Sequence, residues 1–260
     1  MAPAGAYWDR LQTMPKLGRF SAIHQPAQKI IRRRIVVPST PVSFANPTQS
    51  TGSAVSIAAV SPFAGGGNSL QFSRSTNSWI SFAGSNDWAV GTGDFTVEWF
   101  GYQTDTTQFQ RVFSVGDYPS IKLGVSIESS TFYYWANDSF RYSSAGATST
   151  NTWYHWAVVR SSGTTYVYRD GTLRGTSIAD TNNITDNTTS LYIGNTNTPA
   201  TNAAWVGYIT NFRFVKGLAV YTGNFTTPTS ALAAEASANP YGGSNTAAIG
   251  SGFTKLLLVP

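Results

Sequence analysis

Short runs along the chain alternate apolar and polar residues with period two, the spacing of a half-buried β-strand. The clearest is Asp94 to Phe100, where Phe95, Val97 and Trp99 share one face and Thr96 and Glu98 the other. Trp153 to Arg160 is the strongest run. It leads into Thr165 to Arg169, an Asp170-Gly171 pair, and Thr172 to Arg174. Asp-Gly between two such runs predicts a hairpin with a type I′ turn, whose two central residues both need positive φ. Further strands are predicted over Asn68–Phe72, Ser78–Phe82, Gln110–Val115, Ile121–Ile127, Thr131–Trp135, Ser190–Ile193, Trp205–Val215 and Lys255–Val259. No helical period persists beyond two turns. Closely spaced short strands with Gly, Asn and Asp between them predict an all-β protein, a two-sheet antiparallel sandwich. No repeat of 20–50 residues is evident, which argues against a propeller or a solenoid. Ala231 to Gly252 is rich in Ala, Ser, Asn and Gly, and reads as a long surface loop ahead of the last strand.

The alternation is missing from residues 1–64. Five prolines between Pro26 and Pro62 oppose helix and favour extended backbone. The chain is therefore divided into an extended N-terminal arm, residues 1–64, and a sandwich domain, residues 65–260. Within the arm lies Ile30-Ile31-Arg32-Arg33-Arg34-Ile35-Val36-Val37. If extended, Ile31, Arg33, Ile35 and Val37 share a face. The residues Ile31, Arg32, Arg33, Arg34, Ile35 and Val37 are read as a strand that docks on a partner's sheet, with the arginines pairing acids there.

Composition sharpens this division. Of 260 residues only 11% are charged, against about 25% in an ordinary soluble domain, while 14% are aromatic. The net charge of +5 first suggests a polyanionic partner. Residues 1–45 hold seven basic groups and one acid, a net of +6, whereas residues 46–260 hold ten basic and eleven acidic groups, a net of −1. The nearly neutral sandwich does not resemble a nucleic-acid-binding face. Cys is absent and His occurs twice, which excludes disulfides, thiolate chemistry and a three-His metal site. The first 30 residues lack the apolar core of a secretory signal, and no apolar stretch reaches the 18 residues of a membrane span. An external location would then be reached by another route, such as release with a virion.

Several segments together resemble the laminin G-like, or concanavalin A-like, jelly roll. Gly67 to Phe72 is similar to its opening strand. Asp94-Phe95-Thr96-Val97-Glu98-Trp99 is similar to its DFTIE-W strand, and Trp153 to Arg160 to its W-H-A-V-R strand. Tyr166 to Gly171 resembles its YVDG hairpin, Leu191 to Gly194 its L-IG strand, and Gly207 to Phe214 its G-I-D-RI strand. Ala219 to Pro228 resembles the tail of copies from tailed phages and their hosts, and Lys255 to Leu258 would be the returning last strand. The resemblance covers residues 65–260. It implies two antiparallel sheets and a loop rim, and leaves function open, because the fold hosts lectins, glycosidases, adhesion modules and virion proteins.

Glycosidases of this fold carry Glu-x-Asp-x-x-Glu on one strand. Here Glu98 stands alone, with Thr96 and Phe100 at the alternate positions. A retaining mechanism needs two carboxyl groups about 5 Å apart. No enzymatic activity is expected. His155 shares a strand face with Trp153 and Ala157 and reads as a hydrogen-bonded sheet histidine. Gly65-Gly66-Gly67 lacks the Lys-Ser/Thr of a phosphate loop and reads as a hinge. Asp180 to Asn187 supplies oxygens that suit Ca²⁺, although dense Asp and Asn equally form turns; otherwise no cofactor is expected. Trp88, Trp135 and Trp205 are the candidate glycan contacts.

Two functional readings follow. The first is a non-enzymatic structural protein on the exterior of a tailed-phage virion, of capsid decoration or cement type. Its arm would dock on a major capsid protein or tail component, within an oligomeric assembly. The second is a carbohydrate-binding adhesin, a tail fibre or surface lectin, that recognises host surface polysaccharide. Neither reading includes nucleic acid or membrane insertion.

Overall fold

A computed structural model describes residues 49–260 other than Tyr118. The docking residues Ile31, Arg32, Arg33, Arg34, Ile35 and Val37 lie outside the described residues. The strands are β1 (Gln49–Thr51), β2 (Ser56–Ala58), β3 (Ser69–Phe72), β4 (Ile80–Phe82), β5 (Phe95–Gln103), β6 (Gln110–Val115), β7 (Leu123–Glu128) and β8 (Thr131–Ala136). They continue as β9 (Ser139–Ser144), β10 (Trp153–Ser161), β11 (Thr164–Arg169), β12 (Thr172–Leu173), β13 (Ile178–Ala179), β14 (Leu191–Ile193), β15 (Gly207–Lys216) and β16 (Thr254–Leu258). The only helical element among the described residues is one 3₁₀ turn, Thr201–Ala203, and no helix there is long and apolar enough to cross a membrane.

The strands form two antiparallel sheets, as the alternation predicts. One runs β1-β4-β14-β6-β7-β8-β9; the other runs β12-β11-β10-β5-β15-β3-β2, with β13 paired to β11 and β16 to β15. Trp99 opposes Trp156 and Val97 opposes Val158 across β5 and β10. These side chains meet Phe113, Val125, Phe132 and Tyr134 of the other sheet in the main core. Burial of so many aromatic and branched side chains is the principal stabilising force. The Asp170-Gly171 turn forms as expected, with φ of 50° and 74°, and brings Arg169 opposite Thr172.

Three differences from the sequence reading matter. The arm does not extend to residue 64: β1 pairs with β4 and β2 with β3, so residues 49–58 edge both sheets. Strands of three residues carry too little alternation to stand out in a Pro-rich stretch. Ser139–Ser144 is a strand, at the edge of the seven-stranded sheet opposite β1, and only its Tyr142 is buried. Finally, the loop expected over Ala231–Gly252 is largely at the surface but is pinned down by buried Leu232, Ala234 and Ile249, and together with the residues just before it the segment covers part of a sheet. Val220, Tyr221, Phe225 and Ile249 pack with Ala157, Val159, Tyr168 and Val215 as a second core on the outer face of the nine-stranded sheet. Leu232 and Ala234 pack on Leu257. This explains why β5 is buried on both faces over most of its length.

Candidate functional site

The covering layer leaves one end of that outer face open. Register places Trp153 of β10 and Tyr208 of β15 on either side of Tyr102 of β5. All three lie three residues from, or next to, inward-facing core residues, so they project outward. Their rings sit 5.3 Å (Tyr102–Trp153), 5.5 Å (Tyr102–Tyr208) and 6.4 Å (Trp153–Tyr208) apart, and each is half-buried. Such a stripe offers π-faces to the C–H face of a sugar ring, while the phenol and indole edges remain able to hydrogen-bond.

At Trp153 the stripe runs into a cleft of about 340 Å³. Its floor is Phe100, Trp153, His155 and Asp170; Pro62, Phe63 and Ala64 form one wall, and Thr227, Pro228 and Thr229 the other. Phe63 packs edge-on against Phe100 at 5.0 Å, which ties the β2–β3 connection to the sheet. The His155 N–H donates to Asp170 Oδ1 at 2.9 Å, and the Asp170 N–H donates to the His155 carbonyl at 2.8 Å. The hairpin turn is thereby fixed beside the floor. A concave surface with an aromatic base and a few fixed polar groups is the usual form of a small-ligand site.

Beneath the covering layer lies a buried polar cluster. Glu98 Oε1 accepts from Arg213 Nε at 2.8 Å and Nη2 at 2.6 Å; Oε2 accepts from the Tyr221 hydroxyl at 2.7 Å and faces His155 Nε2 at 3.1 Å. Burial opposes ionisation of Glu98, but Arg213, His155 and Tyr221 outweigh it and hold its carboxyl at about 2. Burial and the neighbouring Glu98 push the Tyr221 phenol well up. An ionised carboxylate only accepts, so His155 Nε2 carries the proton. This cluster ties β5, β10 and β15 to the covering segment.

The candidate glycan contacts are corrected in part. Trp88 and Trp205 are buried in the core. Trp88 packs on Phe82 and Phe214 and donates its Nε1 to the Ala83 carbonyl at 3.0 Å. Trp205 lies over Gly101, where a Cβ would fall 3.3 Å from its ring. Both sit in connections that fold back into the sandwich, which local pattern does not reveal. Trp135 is half-exposed on the other sheet, beside Phe140. In the segment 180–187, both oxygens of Asp180 accept hydrogen bonds: Oδ2 from Tyr134 and Thr165, and Oδ1 from Asn182. Asp186 caps Thr188 and Thr189. Both carboxylates are engaged as structural ties. The residues that sequence reading missed are Tyr102, Tyr208, Phe63 and Asp170; the one available signal was Trp153 two positions from His155 on the same strand face.

Comparison with known proteins adds the family. Residues 65–218 match the family described as the concanavalin A-like lectin/glucanases superfamily. No curated protein sequence matches the chain. Among solved structures, the enzymatically active domain of tailspike protein 2 from bacteriophage CBA120 superposes with a TM-score of 0.50 at 17% identity, covering 70% of this chain and 30% of that one. The binding domain of botulinum neurotoxin serotype G gives 0.49 at 17% identity, covering 68% and 45%. Domain 4 of an extracellular arabinanase from Geobacillus stearothermophilus, solved with arabinotriose, gives 0.47 at 15% identity, covering 68% and 86%. The chain thus spans less than half the length of the first two, and likeness at these identities concerns the fold. With more than half of its residues matched to that family and the two-sheet sandwich in place, the chain belongs to the concanavalin A-like lectin/glucanase superfamily.

Proposed function

We propose that the sandwich is a non-catalytic carbohydrate-binding module, carried on the outside of a tailed-phage virion. The observation that carries glycan binding is the Tyr102–Trp153–Tyr208 stripe leading into the cleft at Trp153. The family's own description pairs lectins with glucanases, both of which handle carbohydrate. A binding rather than hydrolytic role is supported by the acids at hand. Glu98 is buried and ion-paired with Arg213, and Asp170 accepts from the His155 backbone. Both Glu98 oxygens are engaged by Arg213 and Tyr221 beneath the covering layer, where a glycosidic bond does not reach them. The test is titration of the protein with host surface oligosaccharides chosen from a glycan array. Trp153→Ala is expected to weaken binding at least tenfold with an unchanged far-UV circular dichroism spectrum; equal affinity of the variant would reject the site. A reducing-sugar assay on the bound glycan is expected to show no product.

The virion setting is carried by a different observation, the resemblance of Ala219 to Pro228 to phage copies. The capsid decoration reading rests on the net +6 of residues 1–45, an attachment charge set apart from a neutral body. Deleting residues 1–48 is expected to abolish co-sedimentation with the particle while glycan binding persists. Undiminished co-sedimentation would reject the attachment role.

A further inference from the structure

A second cleft, of about 540 Å³, opens where β15 ends and β16 begins. It lies between the β4–β5 connection, with Asn86 and Asp87, and the turn that carries Phe253, with Lys216 and Lys255 on its wall. Two features set it apart from the aromatic cleft. The first is charge. Two lysines face one aspartate in a body that is otherwise close to neutral, which leaves a local excess of one positive charge. The ammonium of Lys216 donates to the Asn86 carbonyl at 2.5 Å and that of Lys255 to the Gly252 carbonyl at 2.6 Å. Each is anchored by one N–H and retains two more donors. The second is apolar. Phe253 is 37% exposed, and its backbone carbonyl is held by the Lys216 N–H at 3.0 Å. A would-be Cβ on Gly217 falls 3.6 Å from the Phe253 ring, in ordinary contact. The ring thus lies alongside Gly217 at the cleft.

We infer that this cleft binds a carboxylate-bearing sugar residue of an acidic polysaccharide, with Lys216 and Lys255 pairing the carboxylate and Phe253 stacking on the ring. The single excess charge decides between anions. A sugar acid brings one negative charge and an apolar ring face, and both have a counterpart here. A phosphodiester strand brings closely spaced charges, which Asp87 and the near-neutral body would repel. Burial, together with the like charge of Lys255, moves Lys216 below the ordinary lysine range against the pull of Asp87. A carboxylate held between the two ammonium groups relieves that repulsion. The cleft volume falls within the roughly 300–1,000 Å³ of small-ligand sites.

The inference deepens the carbohydrate reading and rests on it for the ligand class, though not on the same residues. The test uses the full chain and two trisaccharides of equal length, one with a single galacturonate between two galactose residues and its neutral galactose counterpart, with inorganic phosphate as a third probe. The uronate trisaccharide is expected to bind more tightly than the neutral one, and to weaken as salt is raised. Lys216→Gln/Lys255→Gln and, separately, Phe253→Ala are each expected to reduce affinity for the uronate trisaccharide at least tenfold. Equal affinity for acidic and neutral sugars, or undiminished binding by both variants, overturns the inference while leaving the aromatic cleft standing. Phosphate binding that competes fully with the uronate trisaccharide, unaffected by Phe253→Ala, reduces the cleft to a generic anion site and likewise overturns it. If the lysine variants lose the cooperative thermal transition, Phe253→Ala alone decides.

Discussion

Glu98 keeps a full negative charge at a solvent-inaccessible position because Arg213, Tyr221 and His155 supply donors to both of its oxygens. Removing that charge leaves the Arg213 guanidinium buried without its counter-ion. Glu98→Gln is therefore expected to cost about 3–5 kcal/mol, measured by chemical denaturation at pH 7. The pH dependence follows from the carboxyl lying at about 2 in the folded chain, below its ordinary 4.5. A lowered folded-state pKa gives stability that is fully present above the unfolded value. That stability disappears as pH falls from about 4.5 through 2. The shift corresponds to roughly 3 kcal/mol. Other acids contribute to acid sensitivity, Asp180 and Asp186 among them. The informative quantity is thus the difference between the native chain and Glu98→Gln, which is expected to shrink over that window. A constant difference from pH 6 to pH 2 would contradict the assignment. The sequence showed Glu98 as an isolated strand acid and nothing more, because its partners lie 57, 115 and 123 positions away.

At the scale of elements, the β11–β12 hairpin joins local and distant requirements. Asp170-Gly171 was legible because a two-residue turn is dictated by the residues that form it. The structure adds that a Cβ on Gly171 would fall 2.0 Å from the Phe225 carbonyl oxygen, and that the Phe225 N–H donates to the Gly171 carbonyl at 2.9 Å. The glycine is required both by its positive φ and by the close approach of the covering segment. Gly171→Ala is expected to lower stability by about 1–3 kcal/mol, and, because Asp170 sets the cleft floor, to weaken glycan binding as well. Calorimetry and titration of the same variant check both. The aromatic stripe belongs to the same scale. Tyr102, Trp153 and Tyr208 each fit an ordinary strand pattern, and only the pairing of β5 with β10 and β15 puts them side by side. The Asn211 bulge, at φ 53°, falls where the register of β15 against β5 shifts, between Thr210 and Arg213.

For the whole molecule, the segments flanking the matched family residues decide where the site is. Residues 49–64 give both sheets an edge strand and supply Pro62, Phe63 and Ala64 to the cleft. Residues 217–252 cover the middle of the outer face and supply the opposite wall. Truncation separates these contributions. A chain beginning at residue 49 is expected to retain its thermal midpoint and its glycan affinity. One beginning at residue 65 is expected to lose several degrees and most of the affinity. Equal behaviour of the two would show that the first wall is dispensable.

The positions of the longer core strands, the all-β class and the Asp-Gly hairpin were set by the sequence alone, since period-two alternation and turn chemistry act over a few residues. The segregation of basic charge into residues 1–45 was equally plain from residue identity. The burial of Trp88 and Trp205, the second core over β5, β10 and β15, and the cleft at Trp153 were decided only by the tertiary structure. Each depends on which distant strands pair and on which connections fold back over a sheet face, and those contacts are specified by the packing of the whole chain rather than by any local window.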